Sequence, residues 1–198
     1  MKNMFLHSCI SLITKYHDYS ERDIQKLKYG LEGIYLTITK TLIIFLVAVF
    51  LGIIKEVILV TILFNIIRYT GFGFHAEKSY QCLIISLVNF IGIPWIFLNI
   101  KLSIVAIISI SFICIISYLL FAPADTIKRP LPDKKKRIIR KIITVLIGII
   151  YTLLIIFLNN YYYTSLFLSA MTVLVIVINP LTYAIFKQPY NNYKKLQA

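Results

Sequence analysis

The chain's fold is decided by three consecutive stretches: LSIVAIISISFICIISYLLF over 102–121, APADTIKRPLPDKKKRIIRK over 122–141, and IITVLIGIIYTLLIIFL over 142–158. The outer two are apolar runs of the length a helix needs to cross a bilayer, about 20 residues. The middle one, with three prolines and eight Lys/Arg, reads as a loop that must stay out of the lipid. Two spans separated by a basic loop return the chain to the side it left, which is the repeating unit of a multi-pass helical membrane protein.

The same reading extends in both directions. Apolar stretches at Ile34–Ile54, Val57–Ile67, Leu83–Leu98 and Thr164–Phe186 bring the expected spans to about six. Lys55-Glu56 and Asn99-Ile100-Lys101 are connections short enough to enforce antiparallel returns, and Pro94 predicts a kink. Tyr161, Tyr162 and Tyr163 read as an interfacial aromatic anchor. Val57–Ile67 is short: as a helix it rises only about 17 Å, roughly half the hydrocarbon thickness. It must either borrow from the polar segment 68–82 or sit in thinned bilayer, and both choices pull that segment toward the membrane.

Composition agrees. Of 198 residues 59% are apolar and 15% charged, and the mean hydropathy is +0.83, which excludes a water-soluble globular domain. The net charge of +13 is read through topology and not as a nucleic-acid footprint. With six crossings, 18 of the 21 basic residues fall on one side, together with the N-terminus, segment 68–82, the loop 122–141 and the C-terminal tail. The positive-inside rule makes that side cytoplasmic. We therefore expect an all-α integral membrane protein forming a single membrane-embedded domain, 1–198, with a cytoplasmic or interfacial N-terminal segment, 1–33.

Within that N-terminal segment, no apolar run with a cleavage site marks a leader. Phe5, Cys9, Leu12 and Tyr16 lie near one helical face, which suits a helix in the membrane interface or one packed on the bundle. Ser20 and Asp23 have capping-box spacing, so a helix starts near Ser20 and runs into the first span. Cys9, Cys82 and Cys114 are an odd set without CxxC spacing, which supports neither a disulfide framework nor a structural zinc site.

Chemistry concentrates in RYTGFGFHAEKSYQC, residues 68–82. A cysteine attacks a carbonyl as its thiolate, and an imidazole can take the thiol proton and later protonate the leaving amine. His75 and Cys82 are the right types. On an ideal helix, seven residues separate them by about 10 Å along the axis, too far for direct proton transfer, so the segment must bend. Gly71 and Gly73 permit this. The alternative is an interfacial His and an unreactive Cys. His75-Ala76-Glu77 has no P-C-x-x-C partner and HExxH is absent, so no metal and no cofactor are expected. Cys114 lies mid-span as a small hydrophobe, which leaves Cys82 as the nucleophile candidate. Arg68 reads as a carboxylate clamp or a lipid-facing snorkel, and Glu32 as a group orienting His75 or as a solvated charge. The basic loop attracts anionic lipid or acidic peptide, or acts only in topology.

Arg68, Gly73, His75 and Cys82, followed by Ala122-Pro123-Ala124-Asp125-Thr126 and Pro130-Leu131-Pro132, resemble the accessory gene regulator B (AgrB) family over nearly the whole chain. The resemblance implies a Gram-positive cell-membrane cysteine endopeptidase that processes the precursor of a quorum-sensing autoinducing peptide. It implies Cys82 as nucleophile, His75 as base and then acid, a thioester intermediate, and ring closure to a thiolactone or lactone. The implied partner is an AgrD-like propeptide with an amphipathic leader and an acidic C-terminal tail, to which Lys134, Lys135, Lys136 and Arg137 offer opposite charge. A homodimer and contact with membrane lipid are also implied. The family is described with a glycine pair before the histidine, whereas here Phe72 separates Gly71 from Gly73. The competing reading is a small peptide or lipid transporter without covalent catalysis, which would need polar groups inside the spans. These carry few beyond Lys40, Asn65 and Asn89.

Overall fold

The computed structural model describes residues 2–14, 19–74, 79–126 and 130–194. The chain forms two compact units, residues 1–47 and 48–198.

The first unit contains α1 (Lys2–Thr14) and most of α2 (Glu21–Phe50). The expected capping box forms: the Asp23 amide donates to Ser20 Oγ at 3.3 Å, and Ser20 Oγ donates to Asp23 Oδ2 at 2.7 Å. This satisfies donors that the first turn leaves open. In α1 the packed side lies beside the face of Phe5, Cys9 and Leu12. Leu6 is buried, with Ile10 and Ile13 half-buried on the same face, whereas Phe5 and Leu12 are exposed. The Phe5 ring instead packs on Tyr35, centroids 5.4 Å apart. Tyr16 lies outside the described residues.

The second unit is an antiparallel bundle. It comprises α3 (Ile54–Gly71), α4 (Ser79–Leu87), α5 (Ile93–Asn99), α6 (Ile104–Phe121), α7 (Lys134–Leu158), α8 (Tyr161–Ile178) and the short α9 (Pro180–Ile185). α4 and α5 form one run through a wide turn at Val88–Gly92, in which the Ile93 amide bonds the Val88 carbonyl five residues back. Pro94, next in line and without an N–H, explains why the narrower ladder gives way there.

Among the described residues, five helices are long and apolar enough to cross a membrane: α2, the α4–α5 run, α6, α7 and α8. α3 is also 18 residues long but carries Lys55, Glu56 and Arg68 near its ends. It extends the short apolar stretch 57–67 through Arg68 to Gly71, the borrowing that the stretch's length required.

α8 is buried on every face and packs against α3, α5, α6 and α7. Its Ser165, Ser169 and Ala170 allow close helix approach, and tyrosines on its neighbours tie the bundle together. Tyr118 of α6 donates to the Met171 carbonyl at 2.8 Å, and Tyr151 of α7 to the Leu63 carbonyl at 3.0 Å. Gly148 lets α7 lie on Tyr118, whose ring carbon would be 2.9 Å from any Cβ placed there.

The two ends of the bundle differ. At one, Tyr162 donates to Glu56 at 3.1 Å, while Tyr161 and Ser165 both donate to the Phe97 carbonyl at 2.8 Å. The expected aromatic anchor is therefore also a set of hydrogen bonds joining α3, α5 and α8. At the other end lie the close of α3, the link 122–126 after α6, the start of α7 and the chain after α8.

Several boundaries differ from the sequence expectation. The return expected at Lys55-Glu56 falls at 51–53, where Gly52 takes φ +71°, and both residues lie in the first turn of α3. The loop expected over 122–141 ends at Asp133, whose carboxylate accepts from the Lys135 and Lys136 amides at 2.8 and 3.2 Å, so the basic run 134–141 is the first two turns of α7. The last span, expected to reach Phe186, stops at Ile178. Pro180 disfavours helix at the residue before it; Asn179 is extended and accepts from the Leu181 amide at 2.9 Å, starting α9 in a new direction.

Candidate active site

α3 ends in a loop, Gly71–Phe74, that backbone hydrogen bonds hold from two sides. Gly73 N–H donates to the Ala124 carbonyl and Ala124 N–H to the Gly71 carbonyl, both at 3.0 Å, while Phe74 N–H donates to the Val177 carbonyl at 2.7 Å. Gly73 has φ +118°, and a Cβ there would stand 2.9 Å from Val177 Cγ2 and 3.0 Å from the Val177 carbonyl oxygen. Only glycine lets the loop lie this close to the end of α8. Between the glycines, Phe72 adopts φ 57°, and its ring lies 4.6 Å from the Arg140 guanidinium.

Phe74, the residue before His75, is fixed at every polar atom of its backbone. Its ring is buried against Tyr183 and Phe186, centroids 5.8 and 4.9 Å away. Its carbonyl accepts from Arg68 Nη2 at 3.4 Å, while the guanidinium also lies 5.3 Å from the Phe64 ring centre. Arg68 therefore braces the peptide unit that leads into His75.

The partner strand of this loop, Ala122–Asp125, is itself pinned. Ala122, Ala124 and Asp125 are buried. The Asp125 carboxylate accepts from the backbone amides of Asn192 at 2.9 Å and Tyr193 at 2.7 Å. Tyr183 Oη reaches the Ala124 and Asp125 carbonyls at 3.3 and 3.2 Å, and Tyr190 Oη the Phe121 carbonyl at 3.3 Å. Burial, with Tyr193 and Asp125 nearby, pushes the Tyr190 phenol up to about 12 against the opposing pull of Arg137. Burial and then Asp125 raise Tyr183 as well. Both phenols stay protonated as donors. The segment after α9 thus clamps the strand that holds the glycine loop.

The residues singled out in the sequence fall as follows. Cys82 is half-buried in α4, three residues after Ser79. His75 lies outside the described residues. Arg68 and Gly73 belong to the pinned loop. Glu32 is half-buried in α2, in the other unit. Lys134, Lys135 and Lys136 are exposed in the first turn of α7, and Lys136 pairs with Asp133 at 3.9 Å. Arg137 stacks on Tyr193, 3.2 Å from the ring centre. Cys114 is buried within α6 and Cys9 half-buried in α1. Among the described residues no three His, Cys, Asp or Glu side chains gather as a metal site requires.

Sequence reasoning missed Arg140, which donates to the Tyr69 carbonyl at 2.9 Å, and the Thr144–Thr70 hydroxyl pair at 2.8 Å. Once the basic run is recognised as helix, 140 and 144 share a face one turn apart, the signal that was available.

An all-α, multi-pass membrane protein with a glycine loop, a half-buried helical cysteine and a basic helix start at one end of its bundle is the class defined so far. The sequence model for accessory gene regulator B matches residues 6–178. A protein described as AgrB-like from Listeria innocua is 34% identical, covering 89% of this chain and 87% of its own length. One from Clostridium acetobutylicum is 32% identical over 88% and 84%. The accessory gene regulator protein B of Staphylococcus aureus is 30% identical over 66% and 71%. The chain belongs to the accessory gene regulator B family, and its role lies in the agr quorum-sensing system. No solved structure matches it at a significant level.

Proposed function

We propose that this chain is a cysteine endopeptidase that cuts the C-terminal tail from an AgrD-like quorum-sensing propeptide and assists its cyclisation. The observation that carries the reading is the bracing of Phe74 by Val177 and Arg68, one residue before His75, at the end of the bundle where α4 presents Cys82. Catalysis by proximity needs reacting groups held to fractions of an ångström, and a loop pinned from two sides serves that need.

In the proposed reaction His75 takes the Cys82 thiol proton, and the thiolate attacks the scissile carbonyl. The C–N bond then breaks as His75 returns the proton to the leaving amine, and the acidic tail departs. The acyl group stays on Cys82 as a thioester. An internal cysteine or serine of the peptide attacks that thioester, closing the ring and restoring the Cys82 thiol. Exchange of one thioester for another is nearly neutral, so ring closure rests on positioning and exclusion of water. Lys134, Lys135, Lys136 and Arg137 supply the charge that draws the acidic tail, and the working unit is a homodimer in the cell membrane with both termini cytoplasmic. The transporter reading finds little support: α8 fills the centre of the bundle, where a substrate path would run.

The test is tail release from a candidate propeptide by the purified protein in liposomes, followed by mass spectrometry. Release lost in Cys82→Ala and retained in Cys9→Ala and Cys114→Ala supports the proposal. Release that survives Cys82→Ala removes the nucleophile and brings the transporter reading forward.

A further inference from the structure

A cleft of about 670 Å³ opens beside the pinned strand, between the end of α6, the start of α7 and the segment after α9. Lys134, Arg137 and Lys141 line it together with Phe121, Tyr190 and Tyr193, and Arg137 stacks on Tyr193. The three cations stand at i, i+3 and i+7 of α7, one face of the helix. Among the described residues no acidic side chain lines the cleft. The two nearest carboxylates in sequence are already engaged, Asp125 with the amides of Asn192 and Tyr193 and Asp133 with those of Lys135 and Lys136.

The cleft stands at a membrane boundary. Phe121 ends the apolar run of α6, and Lys141 is the last charge before the run 142–158. From Lys134 to Lys141 the helix climbs about 10 Å, slightly more than the headgroup layer of one leaflet, about 5–8 Å. Lys134 is exposed, while Arg137 and Lys141, nearer the apolar run, are half-buried. At the mouth, Leu120 and Ile138 are 64% and 50% exposed, offering apolar surface contiguous with the spans. An acidic peptide arriving from water would meet Lys134 alone without desolvating its carboxylates. A phosphodiester carrying acyl chains meets all three cations and both apolar residues at once.

We propose that this cleft is a binding site for the phosphodiester headgroup of an anionic phospholipid, one lipid per protomer. Arg137 and Lys141 hold the phosphate, and the acyl chains lie along Leu120 and Ile138. The bound lipid's single negative charge would offset one of the three positive charges lining the cleft and fasten the segment after α9, which clamps Asp125. The inference takes Arg137 from the capture of the acidic tail and leaves the exposed Lys135 and Lys136 to it, and its test reads lipid binding alone.

The experiment is native mass spectrometry of the full-length protein with phosphatidylglycerol or phosphatidylcholine. Each cation near the surface is worth roughly fivefold in affinity, so Arg137→Gln/Lys141→Gln should cut retention of phosphatidylglycerol on the order of 25-fold. Lys135→Gln/Lys136→Gln, with the same charge change on the same helix, should leave the retained lipid in place, and Arg137→Lys/Lys141→Arg should restore most binding. Thermal midpoints in phosphatidylcholine check that each variant is folded. Equal loss in the two glutamine doubles would reduce the effect to diffuse charge and overturn the site. Displacement by a tetraglutamate peptide would reassign the cleft to acidic peptide. Displacement by glycerol 3-phosphate at equal concentration would reassign it to free phosphate, and either outcome overturns the lipid proposal.

Discussion

Substituting Gly73 by alanine is the sharpest perturbation of the loop before His75. At φ +118° an L-residue is strained, which costs about 1–3 kcal/mol. The new Cβ would also lie 2.9 Å from Val177 Cγ2 and 3.0 Å from the Val177 carbonyl oxygen. Overpacking of that kind costs a further ~1–3 kcal/mol, much of a stability margin of about 5–15 kcal/mol. The loop can escape only by leaving the end of α8, which breaks the Phe74–Val177 hydrogen bond. Gly73→Ala should therefore lower the thermal midpoint in micelles by at least about 4 °C for a chain of this size, and propeptide cleavage should fall further than the loss of folded protein explains. Adding Val177→Ala removes the Cγ2 contact but leaves the carbonyl contact and the φ strain, so recovery should be partial. A Gly73→Ala protein with unchanged midpoint and cleavage rate, or complete recovery in the double variant, would refute the reasoning.

Other consequences follow from the same contacts. Asp125→Ala leaves the Asn192 and Tyr193 amides without their acceptor, at about 1–3 kcal/mol for each buried donor; limited proteolysis should then cut the segment after α9 sooner, with Asp125→Asn intermediate. Because Arg68 braces the Phe74 carbonyl, Arg68→Gln should lower kcat and spare KM; a rise in KM alone would make it a carboxylate clamp. Phe72→Gly relieves positive-φ strain of about 1–3 kcal/mol and forfeits a cation–π contact of about 0.5–1 kcal/mol, so its midpoint should hold or rise. Tyr190 is raised to about 12 in the folded protein from an ordinary value near 10. Its contribution is thus fully present below about pH 10 and lost as pH rises toward 12. Tyr190→Phe should erase that alkaline loss when unfolding is followed against pH.

The alternation of apolar runs and basic segments made the helical membrane fold legible, because hydrophobic length is a local property of sequence. The capping box at Ser20 and the extension of α3 through Arg68 were legible for the same reason. The start of α7 at Asp133 was obscured by the prolines at 130 and 132, although an aspartate two residues before the backbone amides it caps is itself a start signal. The Asn179-Pro180 break was written in the sequence and outweighed by the apolar residues on either side.

The site was legible only as a set of residue types. That Gly73 pairs with Ala124, Phe74 with Val177 and Asp125 with Asn192 depends on contacts dozens of residues apart. Such pairings leave no periodicity to read. The bond from Arg68 to the Phe74 carbonyl is another contact that residue identity does not disclose.

The most direct measurement of the central claim is peptide mapping of the wild-type protein after brief reaction with propeptide, acid quenching and proteolysis. The account predicts an acyl adduct on Cys82 that hydroxylamine removes, absent in Cys82→Ala and weak when His75 is replaced. Propeptide turnover without any adduct, or with the adduct on Cys9, would contradict it.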